Sequence, residues 1–173
     1  MSIGRTFKES FQKGLRSLEI GRAGFGADGK DLEELKEELK DLKQNLRIPT
    51  DKRIFYVRYA LEKGMTVDEI HELSKIDPWF LDNMKEIIEI EKKLSAYKRV
   101  EELPYELLLK AKRAGFSDKQ IAHIVGSHEL AVREYRKSLG IKANFKLVDT
   151  CSGEFQCERP YYYSTYDKGD ENR

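Results

Sequence analysis

Ala60-Leu61-Glu62-Lys63-Gly64-Met65-Thr66 is repeated, 51 residues on and without a gap, as Ala111-Lys112-Arg113-Ala114-Gly115-Phe116-Ser117. Ile70 and Leu73 then match Ile121 and Ile124. An internal repeat of this length constrains the fold more than any other feature, because each copy is one supersecondary unit that buries its apolar stripe against neighbours. Each unit reads as a helix, a Gly turn, a short capped helix and a third helix. Gly64 and Gly115 stand where the first helix closes in a left-handed turn, a conformation that glycine adopts at little cost.

Local signals place helices along most of the chain. Thr6 and Glu9 form a capping-box pair, and Phe7, Phe11, Leu15 and Leu18 follow at helical spacing. Thr66 with Glu69, and Ser117 with Gln120, repeat that pair. Asp77 caps a helix that has Pro78 at its first position, with Phe80, Met84, Ile87, Ile88 and Leu94 as its apolar stripe. Ser127 is expected to cap the last helix, which ends at Gly140. Leu32, Leu35, Leu39, Leu42 and Leu46 form a heptad-like seam stopped at Pro49, facing either its own domain or a partner helix. GRAGFGADGK, from Gly21 to Lys30, has four glycines in ten residues and reads as a linker or hinge. It lacks the ending of a phosphate loop. Beyond Gly140, IKANFKLVDT predicts a short extended segment, followed by an aromatic tail without periodicity. The fold class is therefore mainly α, with two three-helix units and a short extended C-terminal segment.

The span Ile121–Lys142 has the layout of a helix-turn-helix DNA reader, with Arg133, Arg136 and Lys137 on its second helix. Charge argues against that reading. Lys plus Arg is 32 against 31 Asp plus Glu. The second unit, Leu108 to Gly140, has seven basic and three acidic residues, whereas the first, Ala60 to Ser95, has five and nine. A tandem reader with an acidic first copy would repel the phosphate backbone. His71, His123 and His128 do not fall at metal spacing, and Cys151 and Cys157 fit no zinc pattern and read as ordinary thiols. No base lies near a candidate nucleophile in sequence, so neither a catalytic nor a cofactor-binding constellation is expected. MSIGRTFKES is polar and no apolar run approaches a membrane span, so a cytoplasmic setting is the default expectation.

IGRTFKESFQKGLRSLE, RIFYVRYALEKGMTVDEIHELSKIDPWFLDNMKEI, AKRAGFSDKQIA and FKLVDTCSGEFQCERPYYYSTYD together resemble the large chain of carbamoyl-phosphate synthetase. The resemblance is to the helical oligomerisation domain between its two ATP-grasp halves. The most specific pieces are Lys75 to Phe80, Val148 to Cys151, and Tyr161 to Tyr166. Gly14, where the family usually has Ala, would cost about 1 kcal/mol in mid-helix and puts the rigidity of the first helix in question.

The resemblance implies a parent enzyme that makes carbamoyl phosphate from bicarbonate, glutamine-derived ammonia and two ATP, for arginine and pyrimidine synthesis. ATP, with Mg or Mn, would belong to the flanking halves, and ammonia would come from a glutamine-hydrolysing small chain. Residues 1–20 would end the first half, 21–149 form the helical connector, and 150–173 lead toward the second half. Self-association is a further expectation. Alternatives are a free-standing regulator or scaffold of the same family, or a DNA-binding protein. Candidate interface residues are Trp79, Phe80, Tyr161, Tyr162, Tyr163 and Tyr166. Trp79 beside Phe80 suggests burial, in the module's own core or under a neighbour. The four tyrosines are expected to pack on a catalytic half or to fold back on the module.

Overall fold

The computed structural model describes residues 1–30, 41–148, 154 and 161–169. The readings at Leu32, Leu35, Leu39, Cys151 and Cys157 lie outside the described residues. In chain order come α1 (Phe7–Ser17), α2 (Leu42–Arg47), α3 (Arg53–Glu62), α4 (Val67–Ser74) and α5 (Pro78–Leu94). A 3-10 turn at Val100–Glu102 leads to α6 (Tyr105–Arg113), α7 (Asp118–Ile124) and α8 (Glu129–Ser138). Strands β1 (Asn144–Leu147) and β2 (Tyr162–Thr165) pair antiparallel.

The repeat is structural as well as sequential. The ends of α3 and α6, and the starts of α4 and α7 and of α5 and α8, are each 51 residues apart. Both first helices close alike. Met65 N donates to Ala60 O at 3.0 Å and Phe116 N to Ala111 O at 3.1 Å, with φ of 89° at both Gly64 and Gly115. Thr66 with Glu69, and Ser117 with Gln120, make complete capping boxes. The last helix departs from expectation. His128, not Ser127, is its N-cap, its Nδ1 accepting from Ala131 N at 3.1 Å. An imidazole nitrogen three residues back can replace the usual hydroxyl, so sequence type alone misplaces this cap by one residue.

Apolar side chains from both units meet in one core. Ile70, Leu81, Leu94, Leu108, Ile121 and Val132 are fully buried. On α5 the buried stripe contains Leu81, Met84, Ile87, Ile88, Ile90 and Leu94, while Phe80 is 42% exposed. The helix phase thus places Leu81 inward where Phe80 was expected. On α1, Leu15 is buried but Leu18, just past the helix end, is 60% exposed. Gly14 does not interrupt α1.

The glycine-rich segment is not a linker. Phe25 is fully buried, and Ala23 and Ala27 are nearly so. The segment runs between α1 and α7 under a buried amide network. Gln12 Nε2 donates to Ala114 O at 3.0 Å, and Gln12 Oε1 accepts from Phe25 N and Gln120 Nε2. Gln120 Nε2 also donates to Gly26 O at 2.8 Å. The glycines are there for close approach. A Cβ on Gly24 would stand 2.5 Å from Gln120 Nε2, and one on Gly26 2.3 Å from the Arg58 guanidinium carbon. A segment with so many backbone polar groups can be buried only because these side chains satisfy them.

The same network covers the second unit and leaves the first open. Gln12 and Arg16 donate to Ala114 O and Gly115 O, the carbonyls of the turn that closes α6. A Cβ on Gly115 would lie 2.9 Å from Glu9 Cα, whereas one on Gly64 would meet nothing within 4 Å. Beside Gly64 lies a groove of about 610 Å³, lined by apolar Leu61, Met65, Val67 and Pro78 and by charged Asp68, Asp82, Lys85 and Lys92.

Candidate functional site

The C-terminal ribbon is built on period-two alternation. Its register pairs Asn144 with Thr165, Phe145 with Ser164, Lys146 with Tyr163 and Leu147 with Tyr162. Directly opposed residues share a face. One face therefore carries Asn144, Lys146, Tyr163 and Thr165, and the other Phe145, Leu147, Tyr162 and Ser164.

The first face is fastened to the helical body. Thr165 is 2% exposed, and its hydroxyl donates to Glu9 Oε2 at 3.1 Å. Glu9, expected to complete the cap at Thr6, instead accepts from Arg5 N at 2.8 Å and pairs with Lys13 at 2.9 Å. Only the Thr6 half of that box forms, with Thr6 accepting from Glu9 N. Lys13 reaches Ser164 O and stands 5.9 Å from the Tyr163 ring centroid. Beyond β2, the Tyr166 ring lies 4.9 Å from Lys112 Nζ and 5.5 Å from the Arg136 guanidinium, and its carbonyl accepts from Arg113 Nε. Thr165→Val keeps the shape of this joint and removes one charge-assisted hydrogen bond. Hydrogen exchange at the β2 amides is expected to quicken about tenfold, a loss of about 1.5 kcal/mol of local protection. An unchanged exchange rate would mean that Glu9 does not hold the ribbon.

The second face is apolar and open. Phe145, Leu147 and Tyr162 are 43%, 41% and 40% exposed, and Tyr161 beside them is 62% exposed. The four candidate tyrosines thus divide: Tyr163 and Tyr166 fold back on the module, and Tyr161 and Tyr162 project from it. Sequence reasoning did not count Phe145 and Leu147 among the interface candidates. Their alternation about Lys146 was the available signal.

Trp79 and Phe80 form a second aromatic surface. Trp79 is 56% exposed, so the core of this chain does not supply the burial expected for it. Phe7 contacts both rings edge-on, with centroids 5.4 Å and 5.2 Å away. Phe11 stacks on Phe7 and meets Phe25, so a train of rings runs from the buried glycine-rich segment to the surface at Trp79.

Beneath Tyr166 lies a buried ion cluster. Lys112 Nζ donates to Phe116 O and Asp118 Oδ1, both at 2.7 Å, and Arg136 Nε grips both Asp118 oxygens. Arg136, one of the three cations on the second helix of the helix-turn-helix-like span, is therefore engaged inside the protein. Burial pushes the Lys112 ammonium down to about 8, against the pull of Asp118. Asp118 lies below its ordinary value; burial pushes it up, but Lys112 and Arg136 outweigh that. Between pH 8 and the unfolded lysine value of 10.5, the unfolded chain binds the Lys112 proton and the folded chain does not. Stability from this group therefore rises with pH through that window. Relative to Lys112→Met, the native chain should gain on the order of 1–2 kcal/mol from pH 7 to 9.5, read by urea unfolding. Parallel curves for the two proteins would refute it.

Chemically, these surfaces are suited to packing. Among the described residues no group of three or more His, Cys, Asp or Glu side chains could hold a metal ion. His71 Nδ1 meets Ile76 O at 2.8 Å, His128 caps α8, and His123 is exposed. No helix of the described residues is long and apolar enough to cross a membrane.

Residues 1–140 match the family described as carbamoyl-phosphate synthetase large chain, oligomerisation domain. The carbamoyl phosphate synthase large chain of Archaeoglobus fulgidus is 51% identical over 175 residues, which take in 99% of this chain and 16% of that protein. The N-terminal section of the large chain from Methanopyrus kandleri is 44% identical, over 97% of this chain and 31% of that protein. The arginine-specific, chloroplastic large chain of Arabidopsis thaliana is 46% identical, over 96% of this chain and 14% of that protein. This chain thus spans only a minor part of each relative's length. The match runs through α1, both three-helix units and their Gly turns, and the chain belongs to the oligomerisation-domain family of the carbamoyl-phosphate synthetase large chain.

Proposed function

We infer that this chain is the structural connector of a carbamoyl-phosphate synthetase large chain, holding two ATP-grasp halves at fixed spacing. The single observation that carries the reading is the joint between α1 and the ribbon. Glu9 binds both Arg5 N and the Thr165 hydroxyl, and Arg5 lies 3.5 Å from Asp167. The two ends of the described chain are therefore fastened side by side on one helical body. A module joined this way holds a domain on its N-terminal side in a set position relative to a domain on its C-terminal side.

In this reading residues 1–20 close the first half, 21–149 form the connector and 150–173 lead toward the second. The open ribbon face of Phe145, Leu147 and Tyr162, with exposed Tyr161 next to it, packs on a catalytic half, as Trp79 and Phe80 do on a neighbouring domain or subunit. Tyr163 and Tyr166 act from beneath, as anchors of the ribbon. Bicarbonate, glutamine-derived ammonia and two ATP are the substrates of the parent enzyme, with a glutamine-hydrolysing small chain as partner in the cytoplasm. ATP and its Mg or Mn ions would belong to the flanking halves. Reading the coding DNA on both sides tests this. Open frame running into ATP-binding sequence both upstream and downstream supports the connector. Stop signals at both boundaries would favour the free-standing scaffold instead.

A further inference from the structure

Tyr166 covers the ion cluster. The side chains of Lys112 on α6, Asp118 at the start of α7 and Arg136 on α8 are 4%, 10% and 11% exposed. Two cations share one carboxylate there, so the buried cluster carries an excess positive charge. Arg16 on α1 adds to it and repels the Lys112 ammonium. Lys112 Nζ spends two of its three protons on Phe116 O and Asp118 Oδ1. The Tyr166 ring, 4.9 Å away, is its next neighbour. A ring face attracts an ammonium less than water hydrates it.

This cover is one piece with the ribbon. Tyr166 follows β2 directly, after Thr165 on Glu9. Asn144 Nδ2, on β1, donates to Asp167 O at 2.6 Å and ties both sides of the ring to the strands. Exposed Arg113 on α6 donates to the Tyr166 carbonyl, and exposed Arg133 on α8 acts on the Tyr166 phenol. Glu9 and Lys13, the α1 charges at the ribbon joint, bear on Arg16 and on Ser164 O rather than on Lys112.

We propose that the ribbon is a pH-sensitive latch: Tyr166 closing over Lys112 drives one proton from the ammonium into solvent, so the ribbon grips the helical body more tightly as pH rises. With the latch closed, burial holds the Lys112 ammonium down at about 8. With it open, hydration returns the group toward its ordinary 10.5. Between those values the open state binds the proton and the closed state does not. Closing is therefore favoured by higher pH, and the ribbon loosens as pH falls toward 8. The other groups of the cluster keep their charge through this window. Asp118 lies below its ordinary value, the Tyr166 phenol above its ordinary 10.0, and the guanidiniums stay protonated. The latch concerns the grip on the ribbon whatever follows it, so it stands or falls apart from the connector reading.

The test follows ribbon and lysine separately in the 173-residue chain. Exchange of the β2 amides, divided by the intrinsic rate at each pH, reports the grip. Protection is expected to rise about tenfold from pH 7 to 9.5 in the native chain and to stay level in Lys112→Met, which has no proton to lose. NMR of the Lys112 side chain reports the proton itself. In Tyr166→Ala, Lys112 should hold its proton about tenfold more tightly than in the native chain. Circular dichroism checks that both variants fold; should Lys112→Met fail to, the Lys112 titration in Tyr166→Ala decides alone. A Tyr166 that only packs would leave that titration unmoved. An unmoved titration, native protection that does not rise with pH, or an equal rise in Lys112→Met would each overturn the latch.

Discussion

Gly115→Ala is expected to destabilise the protein by about 3 kcal/mol, and Gly64→Ala by only about 1 kcal/mol, although the two glycines are repeat twins with the same φ of 89°. The shared part of the cost is the left-handed backbone, which a Cβ disfavours by about 1 kcal/mol. The difference comes from what lies outside the turn. At Gly115 the new carbon would stand 2.9 Å from Glu9 Cα and 3.1 Å from Glu9 O, atoms of the α1 backbone that cannot rotate away. Moving α1 would disturb Gln12 on Ala114 O and Arg16 on Gly115 O together. At Gly64 nothing lies within 4 Å. Urea unfolding of the two variants reads the contrast directly. Equal losses would mean that α1 does not sit over the α6 turn as described.

Phe25→Ala should be the most damaging single truncation in the glycine-rich segment, costing about 3–5 kcal/mol, or roughly 10 °C in Tm. Phe25 is fully buried, meets Phe11 at 5.0 Å between centroids, and has the Arg58 guanidinium 5.7 Å from its ring. Its removal leaves a ring-sized cavity in a stretch with no other large apolar side chain. Phe145→Ala, on the open ribbon face, is the matched control and should cost under about 1 kcal/mol in the isolated chain. A linker would tolerate the loss of Phe25. A Tm shift no larger than that of Phe145→Ala would restore the hinge reading of Gly21–Lys30.

Residue types and spacings within one turn of chain were enough to locate the helices and their caps. Thr66 with Glu69, Ser117 with Gln120, Asp77 before Pro78, and the twin glycines act through atoms two to five residues apart. The sequence carries both partners of each such interaction, so the repeat, the mainly helical fold and the family resemblance could be read from it. The His128 cap shows the margin of that reading, one residue, where an imidazole replaced a hydroxyl.

Tertiary structure alone decided which exposed-looking segments are buried and which apolar ones are not. Gly21–Lys30 has a linker's composition, yet it is core because Gln12 and Gln120, 108 residues apart, meet above it. Trp79 has a core residue's chemistry, yet it is 56% exposed, because Leu81 two residues on takes the inward phase of α5. The tyrosines divide for the same kind of reason. The β1–β2 register, with Thr165 pinned to Glu9, turns Tyr163 toward α1 and leaves Tyr162 outside. Burial is set by partners far away in the chain, and local propensity holds no record of them.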